Sequence, residues 1–298
     1  MASGNSQPVV WQADFYRRPL RSEAGEPLWE LLVCDRIPHD SSVPTFNFSF
    51  GAECPQSEAT AAWVSRQIEN AVERAGVRPQ QIEVFRPQSL ALLETACQPL
   101  KIKVVPVRAP QPLQQWLRQR TAWYTNLSNY TGEAYDPLAL DRPPPMPLPD
   151  FLVGQQWRFA AIQAVEFEQT FPYEPIPIAS LPSERMPLHL GLPSTAPIPG
   201  IVIDAGRRAM PLAQWLQQVN PAWFSYMAGQ PDGVILEVGL VDRWVLATFE
   251  DPEVAQAAQT FEQRKQASQG LHFILVRPDD SGMTHTGIWL LQQPSVSP

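Results

Sequence analysis

The chemistry open to this chain turns first on Asp14. It lies in VVWQADFYRRPL (residues 9–20), a run with strand character that ends in two arginines and a proline. A carboxylate in the middle of a first strand is what a two-metal phosphoryl-transfer site would use. Such a site needs about three or four carboxylates converging on two cations ~3.5–4 Å apart. The first helix offers Glu58, Glu69 or Glu73, but the end of the fourth strand reads FRPQ and puts Arg86 where an acid is needed. A guanidinium there repels a divalent cation. Strand alternation sets Asp14 with Gln12 and Tyr16 on one face and Trp11, Ala13 and Phe15 on the other. Asp14 therefore need be neither buried nor a ligand, and an ion pair or a backbone anchor is its plainer role. No catalytic residue and no metal ligand is assigned.

Other reactive patterns are missing from the sequence. It holds no Walker loop, GxGxxG, HExxH or GxSxG, so no cofactor is expected. His39, His189, His272 and His285 have no ligand spacing; His272, inside GLHFILV, reads as a hydrogen-bonded core histidine. Cys34, Cys54 and Cys97 are odd in number and far apart, which argues against a disulfide framework or a zinc site.

Positive charge at strand ends is the more distinctive feature. If the first and fourth strands are parallel neighbours, Arg17, Arg18 and Arg86 share one sheet rim with Tyr16 and Gln88, at the carboxyl ends where ligands bind. Arginine, an aromatic ring and an amide together suit single-stranded RNA: phosphate pairing, base stacking and readout of base edges. Arg207 and Arg208, ahead of a second-half helix, offer a further pair. The competing reading is a solvated rim whose arginines pair with Asp14 or Asp35. Charge constrains both readings. Residues 1–136 carry 13 Lys+Arg against 14 Asp+Glu, and residues 137–298 carry 9 against 16. Phosphate neutralisation supplies most nonspecific RNA affinity, so any RNA surface belongs to the near-neutral first half.

The elements that must position these residues parse well in that half. Strands are expected at 9–17, 28–35 and 44–51, the last with Phe46, Phe48 and Phe50 alternating against Thr45, Asn47 and Ser49. A helix runs from Ser57 as N-cap to Gly76, followed by a strand at 82–85, a helix at 88–97, a strand at 101–107 and a closing helix. Pro106 confines the strand at 101–107 to an edge. The order β-β-β-α-β-α-β-α is that of a ribonuclease H-like mixed sheet, by analogy of element order. DPLALDRPPPMPLPD, with six prolines, reads as a stiff linker over 137–150, and the tract 171–200, with eight, as an arm. The expected division is 1–136, linker, and a second α/β or α+β domain at 151–298. In that domain 157–167 reads as a strand, 233–249 as a hairpin, and Asp251 with Pro252 as a helix start. No run of about 18 apolar residues exists, so no membrane insertion is expected. The polar start MASGNSQP lacks the features of a targeting peptide, and a cytoplasmic location is expected.

WQADFYRRPL, GEPLWELLVCD, FRPQ, LPDFLVGQQW, IPGIVIDAGRRAMPLAQWL, ILEVGLVDRW and GLHFILVRP with GIWLL resemble, in order and spacing, a family of plastid translation factors typified by an algal A/U-rich-RNA-binding protein. The resemblance spans nearly the whole chain; departures fall in 171–200 and in FRPQSLALLETA. It implies a protein that binds an A/U-rich messenger leader and supports synthesis of photosystem I reaction-centre subunits. Cyanobacteria carry relatives without a transit peptide, and this chain looks like one of those. Ribosomal or photosystem assembly factors are the implied protein partners. A scaffold acting only through protein contacts is the alternative. The resemblance carries over no RNA-contacting residue, so the rim residues rest on their own chemistry.

Overall fold

The computed structural model describes residues 8–36, 46–154 and 156–294. The chain is a mixed α/β protein that divides into two compact units, Met1–Asp141 and Arg142–Pro298.

The first unit contains β1 (Val10–Arg21), β2 (Pro27–Asp35), β3 (Ser49–Pro55), α1 (Ala61–Ala75), β4 (Gln81–Val84), α2 (Pro87–Cys97), β5 (Lys103–Pro106) and α3 (Gln111–Tyr124). This is the element order the sequence predicts. The sheet runs β3-β2-β1-β4-β5; β2 is antiparallel to both neighbours, and β1, β4 and β5 run parallel. Strands β3 and β5 are its edges, the second a position that tolerates Pro106.

Side-chain alternation along β1 decides what each face receives. Trp11, Ala13 and Phe15 meet Trp63, Val64 and Ile68 of α1 and Leu93, Ala96 and Cys97 of α2. On the opposite face Leu32, Cys34 and Phe85 meet Leu113 and Leu117 of α3. Each large apolar side chain so buried contributes ~1.5–3 kcal/mol.

Two local expectations change. Residues 44 and 45 of the expected third strand lie outside the described residues, and β3 begins only at Ser49. Just before it, the Asp35 carboxylate accepts from the backbone N–H of Asn47 and Phe48 at 3.3 and 3.1 Å. Phe48 then stacks on Trp11, whereas Phe46 packs on Trp116 of α3. The N-cap of α1 is Thr60, whose Oγ1 accepts from the Trp63 N–H at 3.3 Å. Ser57 lies earlier, in a single 3-10 turn at Gln56–Glu58. Gly76 ends α1 in the left-handed region at φ 66°.

The second unit contains β6 (Met146–Pro147), β7 (Gln156–Gln163), α4 (Ala164–Thr170), β8 (Ile178–Ser180), β9 (Pro197–Asp204), α5 (Ala209–Val219), β10 (Pro221–Met227), β11 (Asp232–Val238), β12 (Asp242–Phe249), α6 (Pro252–Ala267), β13 (Leu271–Arg277) and β14 (Gly287–Gln292). One sheet runs β10-β11-β12-β6, the other β7-β9-β13-β14-β8. The expected strand through Phe167 stops at Gln163, where α4 begins; Phe167 and Phe171, four apart on one face of that turn, pack with tilted rings 4.9 Å apart. The proline-rich tract 171–200 supplies β8 and the start of β9, with Met186, Leu192 and Ile198 in the core. Residues 137–150 are not a single spacer: 137–141 belong to the first unit, and β6 pairs with β12 in the second. Among the described residues no helix is long and apolar enough to cross a membrane.

Candidate nucleic-acid interface

The rim expected from sequence is built largely inward. Asp14 is fully buried, and each of its oxygens holds a guanidinium: Oδ1 accepts from Arg86 Nε at 2.9 Å and Oδ2 from Arg18 Nη2 at 3.0 Å. Arg86 N-caps α2 and spends its other two nitrogens on the carbonyls of Pro137 and Ala139, both at 2.8 Å. Its guanidinium lies 3.9 Å from the Tyr16 ring centre. Arg18 also donates to Glu30 at 3.0 Å and to the Tyr135 hydroxyl at 2.9 Å. Glu30 takes further bonds from Arg120 and the Tyr124 hydroxyl of α3. Burial opposes the charge on Arg18, yet Asp14, Tyr135, Tyr124 and Glu30 together hold its pKa raised. Burial, and then Glu30 across the ladder, raises Glu53. Arg18 and Arg86 are therefore not free to meet a ligand. The first and fourth strands are parallel neighbours as the rim reading requires, but α3 and residues 137–140 cover these two arginines.

The same geometry separates Asp14 from the acids of α1. Glu69 and Glu73 belong to the helix on the opposite side of the sheet. Among the described residues no three His, Cys, Asp or Glu side chains are grouped to hold a metal ion.

What stays open at the end of β1 is a groove of about 490 Å³, lined by Tyr16, Arg17, Trp29, Gln56, Tyr135 and Asp141, among others. Arg17 is exposed and makes no ion pair among the described residues. Gln88 is exposed and donates to Asp141 at 3.2 Å. Trp29 packs edge-on to Tyr16 at 5.9 Å. The structure thus keeps Tyr16 and Arg17 from the expected rim and adds Trp29 and Tyr135. Neither aromatic could be placed from sequence, because both reach the groove through β-sheet register or the chain's return after α3. A second groove, about 650 Å³, is lined by Trp63, Arg66, Gln67, Asn70 and Arg78 together with Glu58, Glu69 and Glu73. Exposed Arg74, Lys101 and Lys103 lie close to it in sequence. The 3-10 turn joins the two grooves, Gln56 lining the first and Glu58 the second.

In the second unit Arg207 and Arg208 are exposed, directly ahead of α5. Arg208 Nη1 donates to the carbonyls of Asp150 and Val153 at 3.1 and 2.9 Å, so it closes a loop. Close by in sequence, Asp204 accepts from Arg158 at 2.7 Å and from Arg277 Nε at 2.8 Å. His272 is the core histidine the sequence suggests. Its Nε2 accepts from the Phe224 N–H at 2.9 Å and its Nδ1 donates to the Gly270 carbonyl at 2.8 Å. Burial, and then Lys265, pushes its pKa down to about 3.

Fold and site together define a two-unit α/β protein with a structural core of buried ion pairs and open grooves that mix aromatic, basic and amide groups. Residues 10–120 match the family described as RNA-binding protein Tab2/Atab2, N terminal, and residues 135–292 match its C-terminal domain. The chain belongs to the Tab2/Atab2 family of RNA-binding proteins. It is 30% identical to the chloroplastic TAB2 homolog of Arabidopsis thaliana, over 94% of this chain and 74% of that protein. With the chloroplastic TAB2 homolog of Zea mays it is 27% identical, over 94% of this chain and 70% of that one. Among solved structures it is similar to a simian T-cell lymphotropic virus intasome bound to the PP2A regulatory subunit B56 gamma. That likeness has a TM-score of 0.28 at 17% identity, over 43% of this chain and 44% of that one, and is too slight to bear on fold or chemistry.

Proposed function

We propose that this protein binds single-stranded RNA, an A/U-rich messenger leader, and supports translation and biogenesis of photosystem I reaction-centre subunits from the cytoplasm. The observation that carries the reading is the match of both units, in order, to one family of RNA-binding proteins. The first unit supports it with two adjoining grooves. Arg17, Arg66 and Arg78 line them as exposed cations, and the half-buried Tyr16 and Trp29 line the first as aromatics. Phosphates pair with the arginines, and unpaired bases lie against the rings at ~1–3 kcal/mol per base stacked. The protein holds its RNA without cutting it. The acidic second half faces ribosomal or assembly partners.

A salt series of fluorescence anisotropy on labelled A/U-rich single strands tests the reading. Log affinity falls with log salt by ~0.7 per phosphate contacted. The double variant Arg66→Glu/Arg78→Glu weakens binding at least about tenfold and makes the slope shallower by about 1.4. A flat slope in the wild type, or no binding at low salt, favours a scaffold that works only through protein contacts.

A further inference from the structure

The groove at the end of β1 has a charge pattern that phosphate binding alone does not explain. Glu133, Asp136 and Asp141 line it as exposed carboxylates, against Arg17 as its exposed cation. Carboxylates repel phosphates. What they accept is an N–H, and among bases the exocyclic amine of adenine, cytosine or guanine supplies one. Uracil presents a carbonyl oxygen at the corresponding position, which meets a carboxylate with repulsion, and its one donor on that edge, N3–H, stands between two such oxygens.

Other features of the groove point to a base. Tyr16, Trp29 and Tyr135 give it aromatic walls. Its volume of about 490 Å³ falls within the range of small-ligand sites. The three carboxylates are not equally available. Asp136 Oδ1 accepts from the Leu138 N–H at 2.9 Å, and Asp141 Oδ2 accepts from Gln88 at 3.2 Å. The Glu133 carboxylate has no partner among the described residues.

We infer that this groove takes one unpaired nucleotide whose base carries an exocyclic amine. The base lies along the aromatic wall, its amine donates to Glu133 or Asp141, and its phosphate meets Arg17. In an A/U-rich strand the selected base is adenine. This inference rests on the RNA-binding reading and adds to it a base preference and the residues that enforce it.

The test uses the full chain and fluorescein-labelled decamers of A, C and U, titrated by anisotropy at one salt concentration. Cytosine and uracil share ring size, so their comparison isolates the amine from stacking. In the wild type, the C decamer binds at least about tenfold more tightly than the U decamer, the discrimination of one good polar base contact, and the A decamer does the same. In Glu133→Gln/Asp141→Asn the C-to-U ratio drops below about threefold, because a side-chain amide donates to uracil as readily as it accepts from an amine. Tighter U binding in that variant is part of the expected result. Equal affinity for C and U in the wild type, or an unchanged ratio in the variant, overturns the base preference and leaves RNA binding standing. No binding of any decamer removes both.

Discussion

Replacing Arg86 by leucine tests the central structural claim, that this guanidinium is a strut within the first unit and not a ligand contact. Its side chain is 1% exposed and satisfies Asp14, the Pro137 carbonyl and the Ala139 carbonyl at once. Leucine leaves the buried Asp14 with Arg18 alone. Breaking a buried pair on one side costs ~3–5 kcal/mol, because the remaining charge stays desolvated. The buried Pro137 carbonyl also loses its donor, for about 1 kcal/mol more, whereas Ala139 is exposed and turns to water. The expected loss is about 5 kcal/mol, or roughly 15–20 °C in the melting temperature of a unit this size. That is a large share of the ~5–15 kcal/mol that stabilises an ordinary domain. Urea and thermal unfolding followed by circular dichroism measure it, with Arg17→Gln as the exposed comparison, expected within about 0.5 kcal/mol of wild type. A loss below about 1 kcal/mol for Arg86→Leu would mean that the guanidinium is solvated, and would return Arg86 to the list of RNA contacts.

Three further outcomes follow from the geometry. His272 has a folded-state pKa of about 3, depressed below its ordinary value of 6.5, so the unfolded chain binds the extra proton between those values. The stability this residue contributes is fully present above pH 6.5 and is lost as pH falls toward 3; urea midpoints taken from pH 7 to pH 4 show the slope, and His272→Gln flattens it. Gly200 on β9 faces Phe273, and an added Cβ would come within 2.4 Å of the ring. Gly200→Ala therefore destabilises by ~1–3 kcal/mol through overpacking, read as a lower thermal midpoint, and a neutral result would show that Phe273 swings aside freely. Thr60→Ala removes the α1 cap and costs about 1 kcal/mol in a denaturant titration, whereas Ser57→Ala, outside the helix, changes little.

Local chemistry that acts over a few residues is legible in the chain itself. The period of two in WQADF assigns Asp14 and Phe15 to opposite faces. Gly76 ends α1, and Asp251 with Pro252 opens α6, because caps and φ restrictions need no distant partner. The element order of the first unit and the apolar core of β13 are readable for the same reason. The role of Arg86 is not, because it depends on residues 51–53 positions further along the chain, whose carbonyls fold back over the sheet. Sequence shows a positive charge at a strand end; only the covering segment decides that the charge is desolvated and must pair with Asp14. Likewise Trp29 on β2 and the pair Glu133 and Tyr135 after α3 come from separate stretches of chain, and tertiary packing alone brings them into one groove with Arg17. Periodicity fixes the face on which a side chain lies, whereas burial depends on what the rest of the chain places against that face.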